Sequence, residues 1–310
     1  MTQNIDYDLV IIGGGPSGLT AGLYAARAKL NVILIEKMAP GGQILATDWI
    51  ENYPGFPEGL TGCDLAQKMA EQAKRFGLNI ECGDVTSLDL SQPVKKIKFC
   101  DRVISTHAII IATGASPQKL NVPGEDANLG KGVSFCATCD GPFFRDKVVA
   151  AVGGGDSAVQ ESLFLTKFAK KVYLIHRRNK LRATQILQER AFANDKIEFV
   201  WDSVVTGIDG LFGVEKISVK NGKTGESGEI AVDGCFIWIG IRPNAEFTGD
   251  AVKKNDAGFI LVDSNMETSV PGGFAVGDVR DTPLRQVATA VGDSAIAAIS
   301  SNHYIENLKK

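Results

Sequence analysis

The sequence predicts an α/β protein with two Rossmann-like dinucleotide-binding domains, one inserted into the other. Two observations carry this. A strand–glycine turn–helix–strand segment occurs twice, with Gly13 and Gly153 140 positions apart. Apolar elements near the C-terminal end have no counterpart after the second copy. A length of 310 residues suits two domains.

Copy one is DLVIIGGGPSGLTAGLYAARAKLNVILIEK, residues 8–37, and copy two is VVAAVGGGDSAVQESLFLTKFAKKVYLIHRR, residues 148–178. They align without a gap, so Gly13, Gly15 and Gly18 match Gly153, Gly155 and Ala158. The apolar runs before each turn read as buried parallel strands. Helices are expected near 17–29 and 157–169, and second strands at 32–36 and 172–176. The spacing has a physical reason: the first Gly allows a tight turn, the second lets backbone approach a pyrophosphate, and the third small residue lets helix pack on strand. The helix N-terminus then offers unpaired N–H groups to the anion. A lone glycine turn is weak, but here both copies stand between a strand and a helix.

The copies differ at the end of their second strands. Glu36 can accept hydrogen bonds from ribose hydroxyls and would repel a 2′-phosphate. The matching residue is His176, followed by Arg177, Arg178 and, four positions on, Arg182. Forked, permanently charged guanidiniums suit a phosphate. Site one therefore fits FAD or NAD, and site two fits NADPH.

The strands expected at 107–115 and 232–244 close the two halves. GGFAVGDV (272–279) and a helix rich in small residues at 284–300 return to complete the first domain. Its boundaries are then 1–116 with 246–310, and the inserted domain is 117–245, joined through Pro- and Gly-containing crossings.

Net charge is −3 and the pI near 5.7, which argues against a general nucleic-acid binder. The N-terminus carries no signal pattern and no apolar run reaches the roughly 18 residues of a membrane span. A cytoplasmic location is expected, where thiols stay reduced. Of the six cysteines, only Cys136 and Cys139 form a CxxC. A structural staple does not suit that compartment. Zinc would need a second Cys/His pair, and Cys82, Cys100 and the three histidines are scattered. No metal is expected; a redox dithiol is. Cys63, Cys82, Cys100 and Cys235 read as bystanders.

GGGPSG, GGQ (41–43), ENYPGFP (51–57), ATG (112–114), CATCDG, GGGDSA, HRR, GDV and RQ (285–286) together make the chain resemble the low-molecular-weight bacterial thioredoxin reductases over essentially its full length. The resemblance implies FAD and NADPH as cofactors, oxidised thioredoxin as the protein substrate and a homodimer. It assigns the FAD site to Gly13, Gly15, Pro16, Ser17, Gly18, Glu36, Lys37, Gly42, Gln43, Asn52, Val85, Ala112, Thr113, Gly114, Gly277, Asp278, Arg285, Gln286 and Val287. Asp278 would bond the ribityl chain, with Gln43, Asn52 and the 285–286 backbone lining the ring pocket. It assigns NADPH to Gly153, Gly155, Asp156, Ser157, Ala158, His176, Arg177, Arg178, Arg182, Ile239 and Gly240. It also implies that Cys139 faces the flavin, that Cys136 attacks the partner and that Asp140 is the acid beside them. A carboxyl with a reference pKa near 3.9 would need a raised value to donate at neutral pH.

The dithiol lies in the inserted domain yet must reach flavin held by the other, and NADPH must reach the same flavin. A domain swing about hinges at 116–120 and 241–248 is the expected resolution. Other readings are the flavoprotein of a peroxiredoxin system, which carries an extra N-terminal dithiol domain where this chain opens on its first strand, and a non-catalytic redox sensor. A glutathione-reductase-like enzyme would place its dithiol near the first glycine turn. A ferredoxin-linked flavoprotein would not need the arginines.

Overall fold

Uninterrupted runs of Val, Ile and Leu suit strands covered on both faces, and those of the two copies are arranged that way. The computed structural model describes residues 5–47 and 49–310, without the side chains of residues 46, 138 and 139. The chain divides into two compact units, Met1–Ser116 with Arg242–Lys310, and Pro117–Ile241.

In the first unit, Tyr7–Ile12 lies between Val32–Glu36 and Arg102–Ile111, parallel to both, with Leu9 opposite Val32 and Ala108. Asn79–Cys82 extends this sheet at one edge; Lys95–Phe99 and Val85–Asp89 extend it antiparallel at the other. Alternate residues of the central strands feed two cores. Leu9, Ile11, Leu34 and Ile110 pack with the helices Pro16–Arg27 and Val287–Leu308, while Val10, Ile12, Ile33 and Ile109 pack with Val252 and Ile260. Gly273–Ala275 returns to pair with Arg102–Ile111, Phe274 opposite Ile110.

The second unit repeats the plan. Val148–Gly153 lies between Lys171–Ile175 and Gly234–Trp238, all parallel. Ile197–Val200 and Val133–Ser134 complete the sheet. One face carries the helix Asp156–Leu165. The other is covered by an antiparallel sheet of Ser203–Asp209, Lys216–Asn221 and Ser227–Ala231.

Several boundaries depart from expectation: the helix expected at 157–169 ends at Leu165, the strand expected at 107–115 spans Arg102–Ile111, and the last helix runs to Leu308 rather than 300. The second crossing falls between Ile241 and Arg242 rather than at 245/246. The crossing segments Ala115–Pro117 and Ile241–Pro243 pair as a two-stranded ladder. Asn244 already belongs to the first unit: its N–H donates to the Gly114 carbonyl, its Nδ2 to the Thr113 carbonyl (2.9 Å), and its carbonyl accepts the Thr113 hydroxyl (2.6 Å). The C-terminal helix starts at Val287 rather than 284 because Gln286 and Thr289 form a reciprocal cap. Among the described residues no helix is long and apolar enough to cross a membrane.

Cys235 sits fully buried in the second sheet, and burial pushes its thiol up to about 12. An unfolded thiol ionises near ~8.5, so above that pH the unfolded chain loses a proton that the native chain keeps. Stability from this group is therefore complete below ~8.5 and is lost as pH rises toward about 12. Urea unfolding at pH ~8 and ~10.5 should show a steeper alkaline loss for the native sequence than for Cys235→Ala. Equal pH dependence in the two proteins would contradict this.

Candidate dinucleotide sites and redox centre

The first glycine turn is built by close contact. Gly13 has φ +103, and a Cβ there would meet the Ala112 carbonyl oxygen at 2.4 Å. A Cβ on Gly18 would lie 1.8 Å from the Gly13 carbonyl oxygen. These two glycines set the turn on its neighbours. Gly15 meets only Gly42 and Gly41, at 3.8 Å or more. It leaves space at the N-terminus of Pro16–Arg27, a helix end with no side-chain cap.

That space opens into a cavity of about 910 Å³, at the upper end of what ligand sites occupy. Gly13, Gly15, Pro16, Ser17, Glu36, Lys37, Gly42, Gln43, Val85, Ala112, Thr113, Gly114, Asp278, Arg285, Gln286 and Val287 all line it. Three expected residues do not line it. Gly18 packs on Gly13, and a Cβ on Gly277 would strike the Ser17 hydroxyl at 2.1 Å. Asn52 donates from Nδ2 to Gln286 Oε1 at 2.9 Å. Sequence reading missed Gly14, Met38, Asp84, Asn244 and Phe247 in the lining. Asp84 had a signal, since it directly precedes Val85, which the sequence reading did name; in the fold it pairs with Lys37. Asn244 and Phe247 had none, because only the return of the chain brings them there.

Glu36 is held by backbone: Oε2 accepts the Gly14 N–H at 2.5 Å and Oε1 the Met38 N–H at 2.9 Å. Gln43 donates to the Ala115 carbonyl at 3.0 Å. Burial raises the pKa of Asp278; Arg285 opposes that shift and Asp293 adds to it. The Arg285 guanidinium lies 4.2 Å over the Phe259 ring, and its Nε is buried without a hydrogen-bond partner. A long cavity with glycines at its narrow point, an acid at each expected polar station and an unpaired buried donor fits a dinucleotide such as FAD.

The second turn uses the same contacts with one exchange. Gly153 has no Cβ; one placed there would lie 2.5 Å from Ala158 Cβ and 2.4 Å from the Trp238 carbonyl oxygen. Ala158 is thus accommodated because Gly153 is bare. Nothing lies within 4 Å of a Cβ on Gly155, again leaving room at a helix N-terminus headed by Asp156 and Ser157. The segment after the second strand folds back over the turn: Arg182 N–H donates to the Gly154 carbonyl at 2.7 Å, and Thr184 N–H to Asp156 Oδ1 at 2.7 Å. Gly240, next to Ile239, accepts the Gln118 N–H.

The basic set divides in two. Arg177, Arg178 and Arg182 are exposed, whereas His176 is only 5% exposed. Its ring fills the space left by Gly154, where a Cβ would approach it to 2.4 Å. Its edge faces Trp201. Burial lowers its pKa, the Lys180 backbone opposes that shift, and the three arginines add to it. The imidazole therefore stays neutral beneath the guanidiniums and supports the loop that presents them. Three exposed arginines on a segment whose backbone is tied to an open glycine turn fit NADPH with its 2′-phosphate.

Cys136 is disulfide-bonded, while Cys63, Cys82, Cys100 and Cys235 are free thiols. Its N–H donates to Ser134 Oγ at 3.0 Å, and its carbonyl accepts both that hydroxyl and the Asp140 N–H. Cys139 lies in the short helix Ala137–Asp140; its side chain is outside the described residues. Asp140 borders a smaller cavity of about 530 Å³ walled also by Lys131, Phe143, Lys147 and Phe212.

The chain is similar to known proteins over nearly its whole length. Residues 7–294 match the family model for pyridine nucleotide-disulphide oxidoreductases. A thioredoxin reductase of Bacillus subtilis (strain 168) is 45% identical, with 100% of this chain and 98% of that protein covered. The crystal structure of Lactococcus lactis thioredoxin reductase is 47% identical and superposes with a TM-score of 0.95, over 97% of this chain and 99% of that one. The thioredoxin reductase structure from Streptococcus pyogenes is 48% identical and superposes with a TM-score of 0.66, covering 97% and 98%. With the duplicated glycine turn, the bonded Cys136 and a match along nearly its whole length, the chain belongs to the pyridine nucleotide-disulphide oxidoreductases.

Proposed function

We propose that the protein is an NADPH-dependent thioredoxin-disulfide reductase. The observation that carries this is a disulfide-bonded Cys136 in a chain with two glycine-turn sites, one opening on a large cavity and the other followed by three exposed arginines. The first unit holds FAD and the second NADPH. When bound, FAD would supply two-electron transfer between NADPH and a disulfide.

The chain's residues do the rest. Glycines 13 and 15 and the free helix end receive the pyrophosphate; Glu36 receives ribose hydroxyls. Asp278 orients the ribityl chain from the cavity wall. Arg177, Arg178 and Arg182 hold the 2′-phosphate. Cys139 is the partner of Cys136. Two electrons and two protons convert that disulfide to a dithiol. The Cys136 thiolate attacks one sulfur of the thioredoxin disulfide, forming a mixed disulfide and expelling the other sulfur as a thiolate. Cys139 then attacks Cys136, which restores the internal disulfide and releases reduced thioredoxin. Asp140 moves the proton at the Cys139 sulfur. The working form is a cytoplasmic homodimer, as in the family resembled.

The two half-reactions alternate by a swing of the units about 116–120 and 241–243; of the expected hinge 241–248, Asn244 and Phe247 are already built into the first unit. The dithiol belongs to one unit and the flavin site to the other, and NADPH must reach the same flavin, so the two half-reactions call for two arrangements.

Replacing Cys136 with Ser should cut thioredoxin reduction by about 100-fold or more while NADPH still bleaches the flavin absorbance; undiminished turnover would overturn the mechanism. The double substitution Arg177→Ala/Arg178→Ala should raise the KM for NADPH by about 10- to 100-fold and leave that for NADH nearly unchanged. An equal effect on both would reject the phosphate assignment. A cross-link fixing the two units should stop turnover after at most one half-reaction, and full steady-state activity in the cross-linked protein would exclude the swing.

A further inference from the structure

The turn that carries Asp278 is fastened from behind by a buried ion pair. Asp293, in the C-terminal helix, is 8% exposed. Its Oδ2 accepts Arg280 Nε at 2.7 Å and the Gly277 N–H at 3.3 Å, and its Oδ1 accepts Arg280 Nη2 at 2.7 Å. Arg280 Nη1 donates to the Asp281 carbonyl at 2.9 Å. One carboxylate thus grips both ends of the turn Gly277–Val279: the Gly277 N–H at its start and the Arg280 side chain just past its end.

Neither Arg280 nor Asp293 lines the dinucleotide cavity, whereas Asp278 does. The turn has little freedom elsewhere. Gly277 sits at φ +68 against Ser17. Ile260 N–H donates to the Val279 carbonyl at 3.1 Å, and Asp281 N–H to the Ile260 carbonyl at 2.8 Å. The Asp278 carboxyl takes no hydrogen bond from the described residues, so its place in the cavity is set by the backbone beneath it. A two-pronged Arg–carboxylate contact fixes angle as well as distance. Buried, it is costly to break from one side only.

We propose that Asp293 and Arg280 are positioning residues for the flavin: their ion pair holds the Gly277–Val279 turn so that Asp278 meets the ribityl chain. This rests on the FAD assignment above. A pair that serves only to attach the C-terminal helix would affect stability and leave cofactor affinity alone.

The test titrates FAD into deflavinated protein, following flavin fluorescence and the visible spectrum of the bound flavin, with thermal unfolding in parallel. Asp293→Asn keeps the shape and loses the charge. Arg280→Met/Asp293→Leu removes both charges and leaves no buried ion unpaired. Both should weaken FAD about tenfold or more and shift the flavin spectrum, and the double variant should unfold near the native temperature. Arg280→Lys, which keeps the charge, should recover part of the affinity lost when both partners are removed. FAD binding within twofold of native in both Asp293→Asn and the double variant, with an unchanged spectrum, would overturn the proposal. Native protein that takes up no FAD would instead overturn the cofactor assignment on which it rests.

Discussion

The contact between Gly18 and the Gly13 carbonyl is what the first site depends on. A helix crossing this close to a strand end leaves no volume for a methyl group, since a Cβ would come within 1.8 Å of oxygen. Glycine lowers intrinsic helix stability by roughly 0.5–1 kcal/mol, and the sequence accepts that at the first turn of Pro16–Arg27. In return the helix axis points its bare N–H groups at the cavity rather than past it. The strands on either side, Val32–Glu36 and Arg102–Ile111, then deliver Glu36 and the 112–114 loop to the same cavity because their registers are locked in the sheet.

The second unit reaches the same geometry by a different route. Ala158 replaces the third glycine, and Gly153 makes room for it. The turn is a steric arrangement in which the bare position can sit on either side of the contact. What separates the sites chemically is the residue ending the second strand. Glu36 presents a carboxylate fixed by two backbone N–H groups. Its counterpart, His176, is turned inward as a neutral ring, and the charge is carried by the next residues. A buried imidazolium under three arginines would be repelled by all of them, so neutrality suits both its burial and its neighbours.

The fold and most of the first site were legible in the sequence because their determinants are local. Glycines at fixed spacing, β-branched runs and an acid at a strand end declare themselves within thirty residues. His176 was not legible in the same way. Its place in the aligned repeat groups it with the arginines, but its direction is decided by Gly154 and Trp201, on other strands and turns. Asn52 likewise reads as a wall residue, yet it acts through Gln286, more than two hundred positions away, by holding the amide that caps the C-terminal helix. The domain boundary was displaced for the same reason. Pro243 looks like a linker, but the side chain of Asn244 closes onto the 113–116 loop, so the chain has rejoined the first unit before composition shows it.

The same distinction explains why Arg280 and Asp293 escape sequence reading. Each looks like a surface charge on a turn or helix, and most such pairs add little to stability. Their side chains are 15% and 10% exposed, which changes their physics. Two desolvated charges persist only where geometry is good and the remaining polar groups are satisfied. Here the Gly277 N–H takes part of the carboxylate's unused capacity, and it belongs to the residue immediately before the acid in the cavity. A fold seeking only attachment of a helix would gain as much from leucines. An ion pair bonded to the backbone of a ligand-bearing turn also fixes direction, and direction is what a cofactor site requires.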